Sequence, residues 1–249
     1  MPHPTNSTSS QRSVSAYDEA ARVAEYDAKM EIMHPNRAKM AAMVAAMLPF
    51  QRDAEITILD LGTGTGFLAA RLLQTFPRAR VIAVDGAEAM MQQAQSRLGA
   101  QGEQLTWKIC SFQQLASDNT LPELDAVVSS FALHHLSAEE KLTLYRAVLP
   151  RLRANGWLVN ADILVAPHRE IEAHYQHLRQ LGIQKRLREQ RGEEKSLAQI
   201  AAELAALEKM DGDQPLPLDL DLSLLRQAGF RGVDCFWKET REAVWGGVK

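Results

Sequence analysis

The chain has only two cysteines, Cys110 and Cys235, far apart and in no metal-type spacing. That excludes a disulfide framework and is the pattern of reduced thiols in a cytosolic protein. No apolar run approaches the roughly 20 residues of a membrane span. Residues 1–16 are rich in Ser, Thr and Pro and lack the apolar core of a secretory signal. The stretch 1–34 therefore reads as a disordered tail leading into an N-terminal cap segment. No charge of one sign dominates: 28 Lys and Arg stand against 31 Asp and Glu, a formal net charge of -3. The absence of an overall basic field argues against a non-specific nucleic-acid binder and leaves only a local basic patch open. There is no internal repeat. What the chain does have is 249 residues with 46% hydrophobic content, enough for one large α/β domain with a small accessory element.

Along residues 35–48, Met40, Met43, Val44, Met47 and Leu48 recur at helical spacing, with Pro35 suited to the first helical position and Pro49 as the stop. Residues 56–61 form a short apolar run ending in glycines, the signature of a buried strand. A helix with Phe67, Leu68, Arg71 and Leu72 follows. Then come a strand over 81–85, a helix over 87–98 closed by Gly99, and a strand over 105–109. Residues 125–130 make a fourth strand. Ser137 and Glu140 make a capping box for the next helix, and 157–161 make a fifth strand after the Asn155-Gly156 turn. This alternation requires a parallel sheet with helices on both faces.

Residues 167–212 break the rhythm. They are highly charged and helical, with Ile171, Tyr175 and Leu178 on one stripe and a second capping box at Ser196 and Gln199. The segment reads as a two-helix insertion into a domain spanning 35–249, either a solvated hairpin or a lid over a substrate. A helix over 220–228 ends at Gly229. The strands 233–237 and 242–245, with no helix between them, pair antiparallel. The fold class expected is α/β: a doubly wound, mostly parallel seven-stranded Rossmann-like sheet, ordered 3-2-1-4-5-7-6, with a C-terminal antiparallel hairpin and a helical insertion.

The loop Gly62-Thr63-Gly64-Thr65-Gly66 lies between the first strand and its helix. Gly62 allows the turn, Gly64 allows close approach of a ligand, and Gly66 opens a helix whose free N–H groups suit a carboxylate. A dinucleotide fingerprint needs glycine at its sixth position, where this chain has Phe67. The loop therefore favours a nucleoside without a pyrophosphate. Asp85 ends the second strand nineteen positions after Gly66, where a carboxylate accepts both ribose hydroxyls or caps the following helix.

With these residues in order, the chain resembles the Rossmann-like S-adenosylmethionine-dependent methyltransferases, in particular their small-molecule branch. The carriers are Leu59 through Gly66, Val84 through Met90, Ser129-Ser130-Phe131-Ala132-Leu133-His134-His135-Leu136, and Gln227-Ala228-Gly229-Phe230 before the closing strand pair. The resemblance implies that Asp60 holds the loop and the amino group of the methionine. It implies that Gly62 and Gly64 pass beside the cofactor, that Asp85 binds its ribose, that Met90 packs on its adenine, and that Ser129 and Phe131 border its sulfonium. Where the family often carries an acid after the third strand, this chain has Ser111 and Phe112. Ser111 can accept the adenine amino group more weakly, and Phe112 either stacks on the ring or belongs to the core. An N-terminal segment folds over the cofactor in related enzymes, so Tyr17 or Tyr26 can cover its methionine end.

Methyl transfer from a sulfonium asks the protein to position the acceptor and exclude water, with a base only where the acceptor must lose a proton. His134 and His135 follow the fourth strand, and His135, one residue further out, is the expected base; an anchoring role for the pair is the alternative. No metal site is expected. His174 and His177 share a helix face, but spacing supplies no third ligand. His34, beside Pro35, is expected at the surface. The acceptor expected is a small organic molecule. The alternatives are a tRNA wobble-uridine modifier or a carboxy-S-adenosylmethionine synthase relative, and a cofactor-binding protein without catalysis. Lys185, Arg186, Arg188 and Arg191 would form an RNA-binding face, but Glu189, Glu193 and Glu194 interleave with them.

Overall fold

A computed structural model describes Val14 and residues 17–249. The tail expected at the start of the chain lies, Val14 aside, outside the described residues. Seven strands form one sheet: β1 (Thr57–Leu61), β2 (Arg80–Asp85), β3 (Leu105–Ile109), β4 (Leu124–Ser130), β5 (Leu152–Ile163), β6 (Arg231–Glu239) and β7 (Glu242–Val248). Their order is β3-β2-β1-β4-β5-β7-β6, as the sequence pattern implied. The β1–β5 pairings are parallel, and β7 runs antiparallel to both β5 and β6.

The alternation of side chains along β1 assigns the two faces. Leu59 and Leu61 point into a core with Val84, Val127 and Leu133. That core is closed by α5 (Phe112–Ala116), α6 (Ala138–Val148) and α9 (Leu218–Ala228), through Leu115, Leu144, Tyr145 and Leu225. Ile58 points the other way with Ala126, Val128 and Ala161, against α2 (Arg37–Met47) and α3 (Phe67–Thr75). Beside it, α4 (Glu88–Leu98) packs Met91 and Leu98 on Val81 and Ala83 of β2. Strands covered on both faces have no polar side to offer solvent, which is why they read as continuous apolar runs.

Helix starts follow their capping chemistry. Ser137 Oγ accepts from Glu140 N at 3.3 Å while Glu140 Oε2 accepts from Ser137 N at 2.9 Å, and Ser196 and Gln199 make the same box before α8 (Leu197–Asp211). Pro35 is not the first helical residue. It lies in the break between α1 (Ala20–Met33) and α2, where its missing N–H and fixed ring end the first helix, and Asn36 precedes the second. The Asn155-Gly156 turn is absorbed into β5, whose register shifts against β4 and where Asn155 adopts φ +62.

The insertion is a pair of helices, α7 (Arg169–Arg191) and α8. The stripe Ile171, Tyr175, Leu178 is not its buried face: Ile171 and Leu178 stay exposed, while Ile183 and Leu187 pack with Ile200, Leu204 and Ile32 of α1. Contact with α1, which sequence periodicity within α7 cannot reveal, selects the other face. The strand order reverses between β1 and β4, so a crevice opens at their carboxyl ends; Tyr26 of α1 lines it, and the end of α8 meets Tyr17 at its edge through Asp211. Among the described residues no helix is long and apolar enough to cross a membrane.

Candidate active site

An open cleft lies at this crevice. Its floor is the loop after β1. Gly62, Gly64 and Gly66 all have positive φ, at 71°, 55° and 76°. A Cβ on Gly62 would lie 2.2 Å from Ala132 Cβ, so this glycine lets the loop touch the segment after β4. A Cβ on Gly64 would meet only Gly62 O at 3.9 Å, leaving its backbone open towards the cleft. Gly66 does not line the cleft; a Cβ there would press on Ala94 at 3.1 Å, so its bareness serves the packing of α3 against α4.

Asp85, at the end of β2, pins the loop. Its Oδ2 accepts from Gly64 N at 2.8 Å and its Oδ1 from Ala87 N at 2.9 Å. Burial raises this carboxyl above its usual range, against the pull of the Ala87, Gly64 and Gly86 N–H groups. A carboxylate has about four lone-pair sites, so these N–H groups leave acceptor capacity for a ligand. Asp60 lies beneath the loop rather than in the cleft. It is fully buried, its carboxyl oxygens have no hydrogen-bond partner, and burial pushes its pKa up to about 7, with nearby Asp85 adding to the effect.

Met90, Ser111, Phe112 and Phe131 line the cleft as well. Ser111 also caps α5: its Oγ accepts from Gln114 N at 3.2 Å. Ser129 does not reach the cleft. Its Oγ donates to Leu61 O at 2.8 Å and ties β4 to β1, and its neighbour Ser130, on the other side of the strand, lines the cleft instead. Cys110, beside Ser111, lines it too, and burial pushes its thiol up.

The two histidines part company. His135 lines the cleft, and His134 does not. His134 is held from behind β5: its Nδ1 lies 2.6 Å from Asp162 Oδ1, and its backbone N–H donates to Asp162 Oδ2 at 3.0 Å. Burial opposes the charged imidazole of His134, but Asp162 and Asp213 outweigh it and raise its pKa. Burial, then the neighbouring His134, lowers that of His135. Asp213, just past α8, places Oδ1 3.1 Å from His135 Nδ1 and 3.6 Å from His134 Nε2. Gln214 N donates to His134 O at 2.7 Å, so the end of the insertion is sewn to the segment after β4. His34 is not at the surface. It is buried, 2.9 Å from Glu242 Oε1, with its ring 4.7 Å from that of Phe131. The turn at Pro35 directs it inward, between α1 and β7.

The roof comes from the N-terminal stretch. Tyr17 and Tyr26 line the cleft, their rings edge to face at 5.7 Å. Tyr17 Oη donates to Asp211 Oδ2 at 3.0 Å, and Arg22 Nη2 lies 2.6 Å from both oxygens of Asp211. Arg37 lines the cleft beside the N-terminus of α3, its guanidinium 4.0 Å from the Phe67 ring centroid and its Nη1 donating to Asp27 Oδ1 at 2.7 Å. Asp27 also accepts from Thr65 Oγ1 at 2.9 Å and pairs with Arg97. Sequence reasoning missed Arg37, Ser130, Asp162, Asp211 and Asp213. Only Asp162 carried a signal, as an acid at the carboxyl end of a strand, the same position that singled out Asp85.

These residues fit a nucleoside with an amino-acid tail. Asp85 has free acceptor sites for ribose hydroxyls, Met90 and Phe112 offer apolar flanks, and the start of α3 with Arg37 offers positive charge to a carboxylate. A doubly wound sheet with this strand order, a glycine loop after β1, an acid after β2 and a closing antiparallel pair defines the Rossmann-like S-adenosylmethionine-dependent methyltransferases as a class. Residues 58–156 match the family model described as a methyltransferase domain.

Two curated relatives are a ubiquinone/menaquinone biosynthesis C-methyltransferase of Desulfotalea psychrophila and a malonyl-[acyl-carrier protein] O-methyltransferase of Bacillus cereus. The first is 32% identical over 37% of this chain and 37% of the relative; the second is 26% identical over 57% and 51%. The matched region thus spans about half or less of these relatives' lengths. Human N-acetylserotonin methyltransferase, solved in complex with S-adenosylmethionine, superposes with a TM-score of 0.60 at 18% identity, over 95% of this chain and 58% of that one. That likeness is one of fold.

Proposed function

We propose that this protein transfers the methyl group of S-adenosylmethionine to a small organic acceptor. The observation that carries the reading is the pairing of the open Gly64 backbone with Asp85, which holds that loop by one oxygen and keeps acceptor sites turned to the cleft. When bound, S-adenosylmethionine supplies a methyl group already activated by its sulfonium. The chain's residues hold the ribose at Asp85, flank the adenine with Met90 and Phe112, and receive the carboxylate at the start of α3 near Arg37. Tyr17, Tyr26 and Phe131 enclose the transfer site and keep water out. His135 stands at the acceptor end, and we assign it to acceptor activation.

The insertion acts as a lid. Three of the four basic residues named on α7 are engaged: Arg186 Nε donates to Ile32 O at 2.6 Å, and Lys185 and Arg191 pair with Glu189 and Glu193. That favours a small acceptor over RNA. Formation of S-adenosylhomocysteine, measured across a panel of hydroxyl, amine, thiol and carbon acceptors, tests the reading. Turnover with a small acceptor is expected. S-adenosylmethionine binding without turnover on any of them would favour a non-catalytic binding protein, and tight NAD binding would overturn the cofactor assignment. Deleting residues 169–209 is expected to spare cofactor binding and abolish turnover.

A further inference from the structure

His134, His135 and Asp213 meet at the acceptor end of the cleft, and their arrangement is not that of an ordinary hydrogen-bonded cluster. His135 Nδ1 and Asp213 Oδ1 lie 3.1 Å apart, yet both are buried atoms without a hydrogen-bond partner. His134 Nε2, 3.6 Å from the same Asp213 oxygen, completes a set of three donor atoms that all lie within 4.8 Å of one another. Bonds of about 2.0–2.2 Å from a metal ion to nitrogen and oxygen put neighbouring ligand atoms about 3.0–3.5 Å apart. The His135–Asp213 distance falls within that spacing, and the His134–Asp213 distance lies just above it.

The surroundings agree as well. His134 gives its Nδ1 to Asp162, which leaves Nε2 as the coordinating nitrogen. A carboxylate behind a ligating histidine is how proteins fix the tautomer and ring orientation of a metal ligand. His134 is also held through its own backbone, by Asp162 at its N–H and Gln214 at its carbonyl. Two imidazoles and one carboxylate are a donor set suited to borderline divalent transition ions, and three protein ligands leave coordination positions open. His135 belongs to the cleft lining, so those positions are accessible from the acceptor side.

We propose that His134 Nε2, His135 Nδ1 and Asp213 Oδ1 bind a divalent transition ion such as Zn²⁺, Co²⁺ or Fe²⁺ at the acceptor end of the cleft. The ion's open positions take a water or the acceptor's heteroatom and make it more acidic. The role in activation rests on the methyl-transfer reading; the binding site does not. His135 then activates the acceptor as a ligand rather than as a free base.

The test uses untagged full-length protein, stripped with a chelator and titrated with CoCl₂ and ZnCl₂ by calorimetry, without S-adenosylmethionine or an acceptor. One ion per chain is expected, with Co²⁺ absorption bands of a nitrogen–oxygen site. Asp213→Asn and His135→Ala, checked by circular dichroism, should weaken binding at least tenfold, and Asp162→Asn by about 10–100-fold. His174→Ala/His177→Ala should change nothing. No saturable binding, binding untouched in a folded Asp213→Asn, or binding lost only with His174 and His177 would each overturn the proposal. Binding of S-adenosylmethionine, measured separately on the stripped protein, shows whether the cofactor reading stands or falls independently.

Discussion

The two ends of the cleft are built differently. At the cofactor end, the glycine loop, Asp85 and Met90 lie within one strand-loop-helix-strand-helix stretch, and the key hydrogen bond, Gly64 to Asp85, spans 21 positions. At the acceptor end, His134 meets Asp162 across 28 positions, and Tyr17 meets Asp211 across 194. The cofactor end follows from local geometry that any ligand of this class imposes. The acceptor end is assembled by tertiary packing of a helix from the start of the chain and an insertion near its end.

That contrast decides how much could be read without coordinates. Sheet order, closing hairpin, glycine loop and Asp85 were legible because each has a short-range cause: alternation of side chains, turn chemistry, or an acid at a strand end. Gly66 and Ser129 were placed in the cleft from their motif and lie behind it. Asp60 lies there too: a motif gives the strand but not which side chains face the ligand. His34, Asp211 and Asp213 carry no local signal, because their environments arise only when distant elements close on them.

The largest expected effect breaks the acceptor end and spares the donor end. His135→Ala should lower the single-turnover methyl-transfer rate by about 10²–10⁴-fold, the range for a positioned activating group. The dissociation constant of S-adenosylmethionine should stay within about twofold, because the cofactor contacts we propose lie at Asp85, Met90 and the start of α3. A folded variant with near-normal single turnover would remove His135 from the chemistry.

Asp60 tests the floor of the donor end. Its folded pKa of about 7 lies above an unfolded value near 3.9. Between about pH 4 and pH 7 the folded state therefore holds more protons than the unfolded one, so stability falls as pH rises through that window. Asp60→Asn should remove this slope and leave the cofactor-free protein more stable than wild type at pH 8, by at most about 4 kcal/mol. Urea unfolding at pH 5 and pH 8 measures it. A variant that is no more stable at pH 8 would show that the carboxylate is compensated in place.

Asp85→Ala should weaken S-adenosylmethionine binding by about 1.5–3 kcal/mol, the worth of hydrogen bonds to a charged group. Because Asp85 also holds Gly64 N and Ala87 N, part of this loss comes from a looser loop. Asp85→Asn, which keeps an acceptor oxygen, should recover some of the loss in calorimetry. Equal affinity in wild type and Asp85→Ala would leave the donor end without its main polar contact.

The smallest effect concerns the seam where the two ends are joined. Arg22 lies 16% exposed and its partner Asp211 9%, so the pair is screened less than a surface ion pair, and Tyr17 adds a hydrogen bond to the same carboxylate. The bond ties α1, whose Tyr26 lines the cleft, to α8, which leads to Asp213. If it latches the roof, breaking it should speed cofactor release without altering the chemistry. Arg22→Ala should raise the dissociation rate of S-adenosylmethionine about fivefold, equivalent to about 1 kcal/mol. Asp211→Asn should do the same. The double variant should be little worse than either single one, giving a coupling of about 1 kcal/mol in the cycle. Breaking the exposed pair of Lys195 and Glu203, on the same insertion, should leave release unchanged. Stopped-flow displacement with excess S-adenosylhomocysteine reads all of these rates. Additive effects of Arg22→Ala and Asp211→Asn would mean that the two residues act separately and that the roof is held by apolar packing, through Val23 on Ala87 and Met90, rather than by this latch.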